Sequence, residues 1–226
     1  MAPPRKHNSD RILDAARTLA LTDGPRAVSV AAIAGASGAP AGTLYHRFGN
    51  RDGILRAAWL RALERFQTAY LQAARDPDPL EAGVAMAVSV VAFARARRED
   101  AQLLLTLRPR DLLDAGPDTD FRERQTAINA RLDSELRRVT RALHGRADAR
   151  ALDAVLRATV DLPYGVVRRH TQTPTMPRWL EADVAKAARQ LLTVPQHQPR
   201  HRPPRPRSAK QAARSTASRS DRDQTT

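Results

Sequence analysis

Residues 29–48 constrain the fold more than any other part of the chain. They read SVAAIAGASGAPAGTLYHRF, with a small residue, a glycine and two hydrophobic residues at set spacings. We predict that Ala34 lies where two helices cross, because only a small side chain permits that approach, and that Gly38 forms the turn between them with a positive φ. Ile33 and Leu44 would then hold the two helices at a fixed angle. The stretch predicts a helix-turn-helix, although some alanine-rich helix pairs share this spacing.

The rest of the chain also favours helices. Apolar residues recur three and four positions apart, aromatic residues make up only 4% of the chain, and no run alternates Val, Ile, Thr and Tyr as a strand would. We expect helices over residues 9–23, 30–37, 41–48, 51–75, 80–97, 99–107, 121–144, 148–169 and 178–192. The predicted fold class is therefore all-α: an N-terminal three-helix domain with the helix-turn-helix (residues 1–50) and a larger C-terminal helical domain for effector binding and dimerisation (residues 51–194).

The chain is strongly basic. It contains 38 Lys and Arg against 24 Asp and Glu, a formal net charge of +14, which suits a polyanionic partner such as nucleic acid or an anionic membrane surface. Residues 195–226 hold eight of the basic residues, only two acidic ones and almost no large apolar side chains. This segment cannot bury enough surface to offset its ordering entropy, so we predict a disordered basic tail.

Several classes of function are disfavoured. Cysteine is absent, which excludes disulfides, thiolate nucleophiles and Cys-ligated metals. The six histidines show no metal-binding spacing, and no glycine-rich phosphate loop is present. We therefore predict a protein that is not an enzyme and has no metal and no cofactor. The polar N-terminus does not resemble a secretory signal and the longest apolar stretch, residues 82–94, is short for a membrane span, so we expect no membrane association and a cytoplasmic location.

Two segments resemble the TetR family of helix-turn-helix transcriptional regulators. Residues 42–55, GTLYHRFGNRDGIL, resemble the family's recognition helix and the start of the helix that follows it. Residues 12–24, ILDAARTLALTDG, resemble the family's first helix. The resemblance implies an all-helical homodimer that binds double-stranded operator DNA, acts as a repressor and is released by a small-molecule effector.

The resemblance also implies which residues contact DNA. These are Ser29, Pro40, Ala41, Gly42, Thr43, Tyr45, His46, Arg47 and Arg51. Thr43 and Tyr45 would contact phosphates or bases, Ser29 would cap its helix beside a phosphate, and Arg51 would meet a phosphate. The sequence departs from the family pattern at Pro40 and Ala41, and Ala41 and Gly42 offer at most apolar contacts, for instance to a thymine methyl group. Alternatively, Tyr45 packs at the domain edge and the other polar side chains are solvated surface groups.

The C-terminal domain carries two further expectations. The family's effector pocket corresponds to segments that contain Phe66, Tyr70, Met86, Val90, Phe93, Leu104, Leu107 and Phe121, each of which could equally be ordinary core. We expect residues 154–170, kinked at Pro163, to form a dimer interface together with a stripe at Leu180, Val184, Ala188 and Leu191. The alternative is burial within one subunit. Two other functions remain open: a nonspecific basic architectural nucleic-acid-binding protein, and a helical membrane-surface or scaffold protein.

Overall fold

A computed structural model describes residues 5–113, 118–171, 173 and 175–194. The predicted disordered tail, residues 195–226, lies outside the described residues. The described chain is helical, without strands, and residues 1–194 cluster as one compact unit. The helices are α1 (Arg5–Thr22), α2 (Val30–Ser37), α3 (Ala41–Phe48), α4 (Arg51–Ala73), α5 (Pro79–Ala96), α6 (Arg98–Thr106), α7 (Pro109–Leu112), α8 (Thr119–His144), α9 (Ala149–Leu156), α10 (Leu162–His170) and α11 (Leu180–Thr193). This confirms the predicted all-α class.

Short polar side chains begin many of these helices. The Ser29 hydroxyl accepts a hydrogen bond from the Ala32 N–H at 3.1 Å, and the Asn50 side chain accepts one from the Gly53 N–H at 2.8 Å. Such caps satisfy N–H groups that lack a partner within the helix. Asp78, Asp118 and Asp148 cap α5, α8 and α9 in the same way.

The long helix α4 connects the N-terminal helices to the C-terminal ones. It packs against α1 and also against α5, α6 and α8. Ile54, Ala62 and Tyr70 on α4 are almost completely buried. Any tilt of α4 therefore changes the position of the N-terminal helices relative to α5 and α6.

A π-helical turn, Arg157–Asp161, interrupts the helix predicted over residues 148–169. Pro163 lacks the N–H that a regular helix would pair with the Thr159 carbonyl, and the wider turn lies directly before this proline. The Thr159 hydroxyl accepts a hydrogen bond from the Tyr70 hydroxyl at 2.8 Å. The expected kink at Pro163 thus takes the form of a π-helical turn joined to α4.

The prediction that the apolar stripe of α11 forms a dimer interface is wrong. Leu180, Val184 and Ala188 are at most 3% exposed within the single chain, in a cluster with residues of α5. These three side chains fill the subunit's own core and cannot meet a second subunit. Only Leu191 of the predicted stripe is exposed.

One helix in the described residues, Pro79–Ala96 (α5), has the length and apolar composition to cross a membrane. It packs against α4, α6, α10 and α11. Its apolar side chains, among them Met86 and Val91 with no exposed surface, are explained by this central position in the core.

Candidate nucleic-acid interface and internal cavity

The turn between α2 and α3 has the predicted geometry. Gly38 has φ +68° and its N–H donates to the Ala34 carbonyl at 3.0 Å, which ends α2. Ile33 and Leu44 have no exposed surface and lie in one apolar cluster with residues of α1 and α4. The two helices are therefore packed against a common core, which fixes the orientation of the outer face of α3.

The outer face of α3 is formed by Ala41, Gly42, Tyr45 and His46, which are all exposed and lie one turn apart in pairs. Pro40 before them is exposed too and supplies no side-chain cap. The first N–H groups of α3 are thus available to an anion such as a phosphate. The phenol of Tyr45 and the imidazole of His46 lie beside the small side chains of Ala41 and Gly42. A polyanion can therefore approach this face closely and contact two polar groups on it.

Three other predicted contact residues are partly buried or paired: Thr43, Arg47 and Arg51. The Arg47 guanidinium donates to the Ser9 hydroxyl of α1 at 2.9 Å. The Arg51 guanidinium donates to the Val28 carbonyl at 2.9 Å, to the Pro25 carbonyl and to Asp52 at 2.6 Å. Both arginines therefore hold parts of the N-terminal domain together, and a phosphate contact by either of them stays a prediction.

A cluster of charged side chains joins α1 to α4 and α6. Arg17 of α1 forms ion pairs with Glu99 and with Asp100 of α6, and Arg65 of α4 reaches Asp100 at 3.1 Å. Burial opposes the charge of Arg17, but these carboxylates together with Asp14 raise the pKa of its guanidinium above the ordinary value. We call Arg17, Arg65, Glu99 and Asp100 the α1–α6 ion-pair cluster.

An apolar cavity of about 180 Å³ lies among α4, α5, α6 and α10. Four residues of the predicted pocket line it: Phe66, Val90, Phe93 and Leu104. The Phe66 and Phe93 rings meet edge to face with centroids 5.4 Å apart. The other four predicted residues do not line this cavity. Tyr70 and Met86 belong to a separate buried cluster, Leu107 ends α6, and Phe121 packs on Trp59.

The sequence reasoning missed Trp59 and Tyr164, which both line the cavity. Trp59 lies seven residues before Phe66 on α4, so the helical spacing through Leu63 could have revealed it. Tyr164 follows the proline after the π-helical turn, where spacing gives no such signal. Within the described residues, no group of three or more His, Asp or Glu side chains could hold a metal ion.

These features define a helix-turn-helix protein whose C-terminal helices form an apolar cavity. Residues 12–58 match the sequence model described as "Bacterial regulatory proteins, tetR family". Residues 12–58 are therefore similar to the DNA-binding region of that family, and the described chain shares its fold with several solved structures.

Solved structures support this fold over most of the chain. The TetR-family regulator PfmR from Thermus thermophilus is 24% identical with a TM-score of 0.65, and the match covers 84% of this chain and 100% of that one. The fatty acid degradation regulator FadR from Bacillus halodurans is 19% identical with a TM-score of 0.64, covering 83% and 99%. A TetR-like regulator from Rhodococcus sp. RHA1 is 18% identical with a TM-score of 0.63, covering 84% and 96%. A sequence search of curated proteins gives no significant match.

Proposed function

We propose that this chain is a transcriptional regulator of the TetR type that binds operator DNA as a homodimer. The observation that carries the proposal is the outer face of α3, whose exposed Ala41, Gly42, Tyr45 and His46 stand on a helix anchored by the buried Leu44. A rigid helix with a small-residue start can enter a major groove, and Tyr45 and His46 can hydrogen-bond to phosphates or base edges. Ser29 caps the start of α2, where a second phosphate can bind.

Exposed apolar side chains favour the homodimer. Trp179 and Leu191 are 55% and 41% exposed at the start and near the end of α11. Large exposed apolar groups that recur on one part of a surface are typical of protein interfaces. With the stripe Leu180, Val184 and Ala188 excluded, the exposed Trp179 and Leu191 become the proposed contact residues. Replacing Leu191 by Arg should shift the protein towards monomers in sedimentation.

We propose further that the protein acts in the cytoplasm as a repressor released by a small molecule in the cavity. Helix α6 connects the cavity to α1, because Ala101 and Leu104 line the cavity while Glu99 and Asp100 bind Arg17. This connection supports the proposal that a ligand in the cavity releases DNA. A shift of α6 on ligand binding would move α1 and, through α4, the spacing of the two recognition helices. By thermodynamic linkage, operator DNA would weaken effector binding by the same factor.

The test of DNA binding selects duplexes from a random-sequence pool with the full-length protein. We expect palindromic sites whose half-sites lie about one helical turn or a multiple apart. Tyr45→Ala and Thr43→Ala should each weaken binding by about 1–3 kcal/mol while the helical circular dichroism is unchanged. Thr68→Ala, an exposed change on α4, is the matched control and should bind like the parent. Selection that yields no sequence preference would favour the nonspecific architectural binder instead.

A further inference from the structure

The cavity among α4, α5, α6 and α10 has a nearly uniform apolar lining. Leucine, valine, alanine and phenylalanine side chains form most of it. Among its lining residues, only Trp59 and Tyr164 carry a polar side-chain atom, the indole Nε1 and the phenol oxygen. The Trp59 N–H is already used, because it donates to the Leu107 carbonyl at 3.2 Å.

Tyr164 differs from Trp59 in the position and the hydrogen bonding of its polar group. Its side chain lines the cavity and is also 41% exposed, so it stands at the border between the cavity and solvent. Among the described residues, the hydroxyl forms no hydrogen bond. It can therefore donate to, or accept from, a molecule inside the cavity without losing a bond within the protein.

The charge and the size of a molecule determine whether it can bind in this cavity. An ion moved into this lining would lose its hydration and gain no partner of opposite charge, which is strongly unfavourable. The carboxylate of Asp100, close in sequence to Ala101, is bound to Arg17 and Arg65. A dry apolar cavity of about 150 Å³ accepts benzene, whereas drug-sized ligands need about 300 Å³ or more.

We propose that the cavity binds a small uncharged, largely hydrocarbon molecule with one hydrogen-bonding group directed at Tyr164. A single ring or a short chain fills about 180 Å³. This inference rests on the proposed function, since it gives the chemical class of the effector. It excludes anionic and cationic effectors whose charge must enter the cavity.

Three probes with one ring each test the proposal on the full-length protein: toluene, benzyl alcohol and benzoate. A ligand that binds only the folded state raises the Tm with its concentration. We expect benzyl alcohol to bind best, toluene to bind more weakly, and benzoate to be at least about tenfold weaker than toluene because its charge has no partner. Calorimetric titration gives the Kd values.

Substitutions of lining residues test whether the probes bind in this cavity. Tyr164→Phe should weaken benzyl alcohol by roughly three- to tenfold and leave toluene unchanged, since only the hydroxyl is removed. Ala101→Leu or, if that variant unfolds, Ala94→Leu should fill the cavity and abolish binding of both probes. Val90→Ala should enlarge it and admit naphthalene. Val88→Ala removes the same apolar group as Val90→Ala from α5, but outside the cavity lining, and is the matched control, with probe affinities like the parent's.

The outcomes separate this inference from the proposed function. Benzoate that binds as tightly as toluene, or probes that leave the Tm of the parent unchanged, would overturn the cavity proposal. Probe affinities that do not respond to the Ala101 and Ala94 variants would overturn it as well. If the probes bind as expected but the complex with selected DNA has the same stability with and without them, the cavity assignment stands and the release step fails.

Discussion

Arg17 of α1 and Asp100 of α6 form an ion pair in which the carboxylate is only 2% exposed and the guanidinium side chain 12%. Asp100 also binds Arg65 at 3.1 Å, and Arg17 also binds Glu99. The pair therefore joins α1 to a helix on which Ala101, Leu104 and Leu105 line the cavity. Coupling between the two regions depends on contacts of this kind, because rigid helices transmit displacement only where they are packed or paired.

Asp100→Asn should destabilise the protein markedly. The change removes the buried carboxylate that Arg17 and Arg65 share, although Glu99 and Asp10 still pair with them. We expect a loss of about 1.5–3 kcal/mol, as for hydrogen bonds to charged groups. The measurement is urea unfolding followed by circular dichroism. Glu181→Gln breaks the more exposed pair with Arg95 and should cost at most about 1 kcal/mol. Equal losses in the two variants would show that the α1–α6 ion-pair cluster does not hold the domains together.

Gly53→Ala should disrupt the junction of α3 and α4. A Cβ at Gly53 would overlap the Phe48 carbonyl oxygen and lie 3.0 Å from the Phe48 carbonyl carbon, so backbone must move. We expect a loss of about 1–3 kcal/mol in the free energy of unfolding. Gly42→Ala is the matched control, because a Cβ there meets nothing within 4 Å, and it should raise stability by up to about 1 kcal/mol. A Gly53→Ala protein as stable as the parent would contradict the close approach of Gly53 to Phe48.

The sequence predicted local features well. The bounds of α2 and α3 agree with the prediction, since the Ser29 cap and the positive φ of Gly38 are determined by a few neighbouring residues. Ile33 and Leu44 were likewise expected to be buried, and both have no exposed surface. Short-range hydrogen bonds and side-chain size suffice for such features.

Features that join distant segments were not predicted. Arg17 and Asp100 are 83 positions apart, and nothing in either local pattern indicates the other. The spacing of Leu180 and Val184 indicates an apolar face on α11. Periodicity alone does not show whether α5 of the same chain or a second subunit packs against this face. The distinction depends on how the helices pack, which only the three-dimensional structure provides.

His144 should make stability depend on pH. Burial at the end of α8, with the positive charge of Arg146 nearby, lowers the pKa of His144 below its ordinary value near 6.5. The unfolded chain then binds the proton more readily than the folded chain, so the free energy of unfolding falls as the pH drops through about 6.5 towards the folded pKa. His144→Gln should reduce this slope in urea unfolding measured between about pH 5 and pH 8.

Arg146→Gln tests whether the charge of Arg146 contributes to the lowered pKa of His144. Removal of the neighbouring positive charge should raise the pKa of His144, measured by NMR titration, towards its ordinary value without restoring it fully, because burial remains the larger cause. A His144 that titrates at its ordinary value in the parent protein would contradict the burial of its ring.

Truncation after Val194 should change how DNA binding depends on salt. Residues 195–226 carry eight Lys and Arg against two Asp. Each phosphate that a basic side chain neutralises contributes about 0.9 to the slope of log K against log salt concentration. We expect the truncated protein to bind selected duplexes more weakly with a flatter slope, while the ranking of duplexes is unchanged, because phosphate contacts carry no sequence information. The measurement is fluorescence anisotropy with several duplexes over a series of salt concentrations. A changed ranking after truncation would show that the segment reads bases, and an unchanged slope would show that it does not bind DNA.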